Sequence, residues 1–518
     1  MKFKILIFVF IFALLSGCQS TFKLQDAKLL STNHGYLFVN FPRISSVLVV
    51  KNLHTHKTYA LPTIYKDSRG LWLPEGEYKI VEIGNQRKIK GFPNITIKTG
   101  NVTNMGSLVH FNIGSDKELW LPKHLGYESD LLAQHKLKFT PYLDQSKTIE
   151  WAPKKMPTPS DVVIEGTGQG IIVGLINRYV HKAQQGELKE QLANEVNVDK
   201  FFDLAINTLP PVRNQIPGTD KNGNLYFGSE LGVIKKRKSD GSWESIQTEI
   251  ISEIHIVRSL NDGSLLAANH NRELLLNMQG SHEWQVVARF SENENIEDID
   301  IFEDKIYVAT SVYDNVRYVI SGGENYELKI YELSSSNFSD KSIIYKTQRK
   351  LGAQAHGKIV NGKYYIGLAP DLLNIIDLQS NKVSKLQLPE SFSNFNISNQ
   401  GTITLYTVQG AFSDLFVSED NGQTWNELDT PPYTIGSIIF NTPQDGIAYR
   451  ISANLADVSY ILQKYNPNKN KWSNVSKAPD VCRYILHNDK YYPKFCVSKS
   501  DEIFSYQNGK WVKEVSLL

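Results

Sequence analysis

The C-terminal part of the chain repeats one short pattern of strands and turns, and this repeat constrains the fold more than any other feature. Units begin with a polar turn and a strand, as in NGNLYFGSE, DGSLLAANH and NGKYYIGLA, and continue with a second strand such as ELLLNM or LKIYEL. Another polar turn then leads to a last strand, which a Trp opens in GSWESI, HEWQVV, QTWNEL, NKWSNV and GKWVKEV. Short apolar runs bounded by Gly, Asn and Asp are typical of antiparallel strands.

Seven such units fit into residues 211–518, at about 44 residues each. The third and fourth units, which contain KSIIYK and KVSKLQL, lack the Trp. A repeat of this length is typical of one four-stranded blade. The sequence therefore predicts a mainly β chain that ends in a seven-bladed β-propeller.

The fifth unit contains the octapeptide SEDNGQTW, whose composition matches a hairpin turn. A carboxylate can accept hydrogen bonds from turn amides, a Gly accepts a positive φ, and a Trp buries a large face between blades. The pattern S-x-D-x-G-x-T-W resembles the Asp-box of sialidases and other BNR-repeat propellers. The resemblance implies a structural role, away from any substrate site, for five residues: Ser418, Asp420, Gly422, Thr424 and Trp425. No catalytic residue is predicted.

The resemblance also raises a sialidase as an alternative function. Such enzymes hold the substrate carboxylate with three arginines, but Asn214 and Gln215 interrupt the Arg-Ile-Pro match at Arg213. The other candidate arginines have no recognisable context: Arg258, Arg272, Arg317 and Arg450. The acidic run SENENIEDIDIFED is typical of a solvated loop.

The first hypothesis is therefore a non-enzymatic binding or scaffold protein with a protein or glycan partner. Its role would be analogous to that of lipoprotein propellers in outer-membrane barrel assembly. A sialidase-like glycan hydrolase is the alternative.

The N-terminus has the pattern of a secretory signal. A basic MKFK precedes the apolar ILIFVFIFALL, which is too short to span a bilayer comfortably. The sequence Leu15-Ser16-Gly17-Cys18 resembles the bacterial lipobox. The resemblance implies removal of residues 1–17, lipidation of Cys18 and, from Gln19, an outer-membrane location. A plain signal peptide with a chance Cys is the alternative. The expected localisation is the cell envelope, lipid-anchored at the periplasmic face or the cell surface.

Two cysteines, Cys482 and Cys496, remain once Cys18 is lipidated. An even count in an oxidising compartment favours a disulfide. The segment CRYILHNDKYYPKFC predicts a hairpin centred on Asp489 with the two cysteines opposite each other. Two free buried thiols are the alternative.

Two further segments precede the repeat. Residues 33–115 contain short alternating strands and predict a small β-sandwich. Within them the step from Leu73 to Tyr78, LPEGEY, resembles the L-P-x-G-x-Y hairpin of carboxypeptidase-regulatory-like and PEGA-type modules, which are usually spacers or binders. Residues 116–210 predict a connector, with a Pro-rich WAPKKMPTPSD and a helix in the later part of GTGQGIIVGLINRYVHKAQQGELKEQLANEV.

Charge and motif spacing give no indication of nucleic acid, cofactor or metal. The formal charge of +2 falls to zero without the signal peptide, which carries Lys2 and Lys4 and no acid. GTGQG matches no phosphate-loop pattern. His54 and His56 are expected on one face of a strand, a spacing that could bind a metal, but they lack a third ligand and a solvent-facing pair is favoured. The basic run at residues 235–238 is expected on an exposed hairpin.

Overall fold

The computed structural model divides the chain into two compact units, residues 1–170 and 171–518. The residues that it describes are 33–40, 47–62, 70–83, 86–87, 92–114, 117–123, 147–151, 195, 198–208, 217–291, 294–312, 325–350, 357–369, 371–389, 392, 394–407, 414–431, 438–453, 458–479, 482–486, 495–498 and 502–516. The signal segment, Cys18, Arg213, Arg317 and the helix predicted after GTGQG lie outside these ranges.

The first unit is built from ten strands. They are β1 (His34–Asn40), β2 (Val47–Asn52), β3 (Thr58–Pro62), β4 (Gly70–Pro74), β5 (Gly76–Ile83), β6 (Gln86–Arg87), β7 (Ile95–Ile97), β8 (Val102–Gly114), β9 (Lys117–Lys123) and β10 (Thr148–Glu150). One sheet has the order β10-β8-β1-β4 with β9 also on β8, and the other has the order β3-β2-β5-β6 with β7 also on β5. Side chains from both sheets share one buried apolar core, so this unit is a β-sandwich.

The sandwich extends past residue 115. β9 pairs with β8, and β10 pairs with β8 in parallel. Trp151 follows β10, lies in the core, stacks on Phe92 and donates its indole N–H to the carbonyl oxygen of Asn94 (3.0 Å). These residues, which the sequence assigned to the connector, therefore belong to the sandwich, since the indole takes part in its core.

Two local expectations in this unit were wrong. LPEGEY is no hairpin, because β4 pairs with β1 in one sheet and β5 pairs with β2 in the other. The segment crosses between sheets, with Gly76 at φ +154° and the Tyr78 ring fully buried. His54 and His56 lie on the exposed turn after β2, where Asn52 Oδ1 accepts the backbone N–H of His54 (3.0 Å) and of Thr55 (2.8 Å).

The second unit contains the helix α1 (Val198–Thr208) and seven four-stranded sheets within the described residues. Sheet 1 consists of β11 (Gly218–Thr219), β12 (Leu225–Gly228), β13 (Val233–Arg237) and β14 (Trp243–Gln247). Sheet 2 consists of β15 (Ile254–Ser259), β16 (Leu265–Asn269), β17 (Glu273–Asn277) and β18 (Gln285–Arg289). Sheet 3 consists of β19 (Glu294–Phe302), β20 (Lys305–Val312), β21 (Asn325–Ser334) and β22 (Asn337–Lys350). Sheet 4 consists of β23 (Gly357–Val360), β24 (Lys363–Ala369), β25 (Leu372–Asp377) and β26 (Val383–Gln387).

The remaining three sheets follow in the same way. Sheet 5 consists of β27 (Asn394–Ile397), β28 (Ile403–Tyr406), β29 (Leu415–Ser418) and β30 (Asn426–Leu428). Sheet 6 consists of β31 (Ile439–Thr442), β32 (Asp445–Ala453), β33 (Val458–Asn466) and β34 (Lys471–Lys477). Sheet 7 consists of β35 (Cys482–Leu486), β36 (Phe495–Ser498), β37 (Glu502–Gln507) and β38 (Lys510–Ser516). In every sheet the strands follow chain order and are antiparallel, so each is a meander.

Successive sheets pack face to face. Shared apolar clusters join sheet 2 to 3, 3 to 4, 4 to 5, 5 to 6 and 6 to 7. Sheets 1 and 2 meet where the N–H of Ile254 donates to the carbonyl oxygen of Ser229 (2.9 Å). Sheet 7 in turn shares a cluster with sheet 1, in which Phe227 contacts Phe495 edge to face at 5.7 Å between centroids. The series of sheets therefore closes on itself, and the predicted mainly β chain with a propeller is confirmed.

Tryptophans from the last turn of a sheet lie at these contacts. Trp243 of sheet 1 stacks on Phe227 and donates its indole N–H to Glu514 Oε2 of sheet 7 (2.9 Å). Trp472 of sheet 6 donates to the carbonyl oxygen of Asp429 (2.6 Å), which follows sheet 5. Trp425 and Trp511 pack on the clusters between sheets 4 and 5 and between sheets 6 and 7. In each case the indole contacts the sheet that precedes its own in the ring.

Among the described residues, no helix is both long enough and apolar enough to cross a membrane.

Candidate functional site

The first strands of sheets 2, 3 and 4 bring four charged side chains together. They are Arg258 on β15, Asp298 and Asp300 on β19, and Lys358 on β23, and we call them the inner-strand cluster. Each of these strands is the edge of its own sheet, and β19 contacts both β15 and β23. Asp298 and Asp300 share one side of β19 because side chains two residues apart point the same way along a strand.

Hydrogen bonds between sheets hold this cluster. The Arg258 guanidinium donates from Nε to the carbonyl oxygen of Ile299 (2.7 Å) and from Nη2 to Asp298 Oδ1 (3.1 Å). Asp300 Oδ2 accepts the backbone N–H of Ile359 on β23 (2.6 Å). The two carboxylates thus join three sheets, and their oxygens face protein donors.

Burial shifts the pKa values of the cluster in opposite directions for acids and bases. Asp298 is only 4% exposed, and burial raises the pKa of its carboxyl to about 7 despite the opposing charge of Arg258. Burial also raises the pKa of Asp300. It lowers the pKa of the Lys358 ammonium to about 8, against the attraction of Asp300. The cluster therefore changes its charge near neutral pH, becoming more positive as Asp298 takes up a proton.

The structure corrects the interpretation of the acidic run. SENENIEDIDIFED forms β19 and its flanks rather than a solvated loop, and both Glu294 and Asp298 are buried. Glu294 accepts hydrogen bonds from the hydroxyls of Thr310 (2.6 Å) and Tyr331 (2.7 Å). The signal in the sequence was the run of isoleucines between the acids, which is typical of a half-buried strand.

Of the five arginines considered for a sialidase site, three lie among the described residues: Arg258, Arg272 and Arg450. Arg258 bonds across sheets, as described above. The Arg272 side chain, in a residue only 8% exposed, donates to Asn295 Oδ1 (3.2 Å) on β19. Arg450 lies on β32, opposite Ile461 in sheet 6. The three described arginines thus belong to sheets 2 and 6, and two of them serve contacts between sheets 2 and 3.

The turn at residues 418–425 is held by side-chain hydrogen bonds. Asp420 Oδ1 accepts the N–H of Thr424 (2.9 Å) and the hydroxyl of Ser418 (2.8 Å), and Oδ2 accepts the hydroxyl of Thr424 (2.6 Å). Ser418 Oγ also accepts the N–H of Gly422 (2.8 Å). These bonds, led by those from Thr424, lower the pKa of Asp420 to about 2.

The same turn contacts sheet 4. The Tyr365 hydroxyl of β24 donates to Asn421 Oδ1 (2.7 Å). Gly422 has a φ of +84°, and a Cβ there would lie 2.2 Å from Leu386 Cδ2. Glycine is favoured at this position, because a side chain would meet backbone strain and would require the Leu386 side chain to move. The turn therefore fastens one sheet to the previous one and offers no reacting group.

Replacing Trp425 with Ala is expected to lower the free energy of unfolding by about 2–3 kcal/mol, because this half-buried indole packs on the cluster between sheets 4 and 5. Denaturant unfolding measures the effect. Trp425→Phe is the matched control and should cost less, since an aromatic ring remains. Two variants that unfold at the wild-type denaturant concentration would contradict this packing role.

The basic run is not an open patch. Lys235 is only 3% exposed and donates to the carbonyl oxygen of Ile206 on α1 (3.2 Å) and to Ser245 Oγ (2.8 Å). Burial lowers the pKa of this ammonium to about 8. Lys236 and Lys238 both pair with Glu244 at 2.8 Å. The expectation of an exposed hairpin was wrong for Lys235, because the first three residues of β13 are all buried and the ammonium of Lys235 contacts α1.

The register at the cysteines differs from the predicted one. Cys482 pairs with Ser498, and Cys496 pairs with Ile485; the register also shifts between Cys482 and Tyr484. Cys496 is fully buried and disulfide-bonded. The side chain of Cys482 lies outside the described residues, so the Cys482–Cys496 pairing stays a prediction.

Comparison with known proteins gives distant likenesses in fold. No family model matches the chain, and no curated protein matches it. An oligogalacturonate lyase in complex with manganese is 10% identical with a TM-score of 0.42, over 59% of this chain and 89% of that one. BamB from Moraxella catarrhalis is 10% identical with a TM-score of 0.34, over 58% and 82%. An acylaminoacyl peptidase from Pyrococcus horikoshii is 10% identical with a TM-score of 0.41, over 59% and 52%.

Within the part of the chain that the structure describes, no three His, Cys, Asp or Glu side chains form a group that could hold a metal ion. The described residues of the second unit form a ring of four-stranded sheets, in which the inner-strand cluster joins sheets 2, 3 and 4.

Proposed function

We propose that this chain is a binding or scaffold protein whose propeller holds a protein or glycan partner without hydrolysing it. The observation that carries the proposal is the state of the inner-strand cluster. Arg258 of sheet 2 bonds to Asp298 and to a backbone carbonyl of sheet 3, and Asp300 of sheet 3 bonds to a backbone N–H of sheet 4. Catalytic side chains must be able to contact a substrate, whereas the side chains of this cluster bond to neighbouring sheets.

One observation favours the alternative, a sialidase-like glycan hydrolase. Asp298 has its pKa raised to about 7, which is the range of an effective general acid at neutral pH. The carboxyl is almost completely buried and its Oδ1 accepts both the Arg258 guanidinium and the N–H of Ile299 (2.9 Å). These contacts favour a proton-binding structural group over one that reaches a substrate.

A panel of fluorogenic sialosides tests the two candidates with the purified full-length chain. We expect no release of fluorophore above the buffer blank. A pull-down from envelope extracts should retain a partner, and the retained partner should be lost after heat denaturation of the bait. Turnover that disappears in Asp298→Asn would overturn the proposal and establish the hydrolase.

We also propose that the mature protein is attached to the cell envelope, at the outer membrane, through a lipidated Cys18. The proposal rests on the lipobox-like sequence that ends at this residue. Several acyl chains on one cysteine give stable anchoring, because each buried methylene contributes about 0.8 kcal/mol.

Replacing Cys18 with Ala is expected to release the protein from membranes. Fractionation of wild-type and Cys18→Ala cells, followed by immunoblotting, measures this shift from the membrane pellet to the soluble fraction. Ser16→Ala is a matched control, since it changes a neighbouring signal residue and keeps the cysteine. A Cys18→Ala protein that still sediments with membranes would rule out the lipid anchor.

A further inference from the structure

A groove of 680 Å³ lies between sheet 1 and sheet 2. One wall comes from the turn before β12 and from the outer strands of sheet 1, with Asn222, Lys236 and Glu244. The other wall comes from the last turn of sheet 2, with Gln279 and Trp284. Its volume is in the range of small-molecule binding sites in proteins.

Trp284 occupies the same place in sheet 2 as the tryptophans that contact the preceding sheets elsewhere in the ring. Trp243 and Trp472 donate their indole N–H groups to the sheet before their own. Trp284 instead lines the groove, and its buried Nε1 has no hydrogen-bond partner among the described residues. Gln247 also lines the groove, and its buried acceptor Oε1 has no hydrogen-bond partner among the described residues. The groove thus combines an aromatic face with polar atoms that have no hydrogen-bond partner in the protein.

The charges on this groove balance one another. Lys236 lies 2.8 Å from Glu244, and Lys238 pairs with the other oxygen of the same carboxylate. Asp220 accepts hydrogen bonds from the backbone of its own turn and from the Tyr226 hydroxyl (3.0 Å). Lys221 also lines the groove and is exposed, and the two lysines and two acids of the lining give it a formal charge of zero, so the groove is suited to a ligand without net charge.

We propose that this groove binds a neutral oligosaccharide, with Trp284 as the stacking surface and the amides of Asn222 and Gln279 as hydrogen-bond partners. A sugar ring offers an apolar face to an indole and hydroxyls that both donate and accept, which matches primary amides. A peptide would need apolar pockets for its side chains, and this wall is mainly polar. The inference rests on the proposed binding function and names the class of its glycan partner.

Isothermal titration calorimetry of the full-length chain with maltotetraose, cellotetraose and chitotetraose tests this site. We expect at least one of these tetrasaccharides to bind. Trp284→Ala should weaken that binding by tenfold or more, and Gln279→Ala should weaken it several-fold. Met278→Ala is the matched control, because Met278 precedes Gln279 in sequence, is 54% exposed and lies outside the groove. This variant should bind the sugar with the wild-type affinity.

Thermal melting of each variant confirms that it is folded, and Gln279→Ala decides the question if Trp284→Ala does not fold. The inference is overturned if none of the three sugars binds at millimolar concentration, or if the folded groove variants bind as the wild type does. In that case a partner retained from envelope extracts would leave the proposed function standing. Conversely, sialoside turnover together with sugar binding in this groove would remove only the non-catalytic proposal.

Discussion

Replacing Glu514 with Ala is expected to lower the free energy of unfolding of the second unit by about 3–5 kcal/mol. The Glu514 side chain, 5% exposed, accepts two hydrogen bonds from the Arg237 guanidinium (both 2.8 Å) and one from the Trp243 indole. Ser505 Oγ donates a further bond at 2.6 Å. Burial alone would raise the pKa of Glu514, but these donors outweigh it and lower the pKa. Its removal leaves a largely buried guanidinium without an anion at the contact between sheet 7 and sheet 1.

Urea unfolding of the full-length chain, followed by tryptophan fluorescence, measures this loss. Glu502→Ala is the matched control, because Glu502 also lies in sheet 7 and pairs there with Lys513, whose side chain is 48% exposed. An exposed pair of this kind contributes less than about 1 kcal/mol. Equal effects of the two substitutions would show that the carboxylate of Glu514 does not join the ends of the ring.

Replacing Asp298 with Asn is expected to remove a pH dependence of stability between about pH 4 and pH 7. The ordinary pKa of this carboxyl is 3.8, and burial raises it to about 7 in the folded protein. In that window the folded state binds more protons than the unfolded state, so wild-type stability falls as the pH rises. Lys358, with its pKa lowered from 10.5 to about 8, has the opposite effect. Between pH 8 and pH 10.5 the unfolded state binds more protons at this residue, so the stability of the folded state rises with pH.

The quantity to measure is the difference in unfolding free energy between Asp298→Asn and wild type at pH 5 and at pH 8. The variant should gain stability relative to wild type by an amount on the order of a few kcal/mol, since one pKa unit corresponds to about 1.4 kcal/mol. Asp420→Asn is the control, because hydrogen bonds lower the pKa of that carboxyl from 3.8 to about 2, so that it is ionised in both states at pH 5 and pH 8 and its substitution should give the same difference at both. A difference that is independent of pH would show that Asp298 titrates normally.

The repeat predicted the fold of the second unit because each blade is a local meander. Its strands pair with their chain neighbours, so alternation and turn residues contain most of the information. Gly422 and Trp425 were recognisable for the same reason, since turn chemistry is local. The strands of the sandwich were likewise recognisable, but no local pattern in LPEGEY indicates that it crosses between the two sheets.

The candidate site was not predictable in this way. Arg258, Asp298 and Lys358 lie on three different sheets, and their proximity depends on how first strands converge. A charge run has the same composition on a loop and on an edge strand, and only the packing of β19 decides which side chains are buried. Lys235 was missed for a similar reason, because its partner carbonyl belongs to α1.

A double-mutant cycle on Arg237 and Glu514 tests most directly whether the sheets close into a ring. These residues lie on β13 and β38, at the two ends of the repeat, and meet only if sheet 7 packs on sheet 1. Unfolding free energies of Arg237→Met, Glu514→Gln and the double variant give the coupling energy. We expect about 1–3 kcal/mol, as for contacting residues in one hydrogen-bond network. A coupling energy within about 0.3 kcal/mol of zero would mean that the two ends do not meet, and the closed propeller would be wrong.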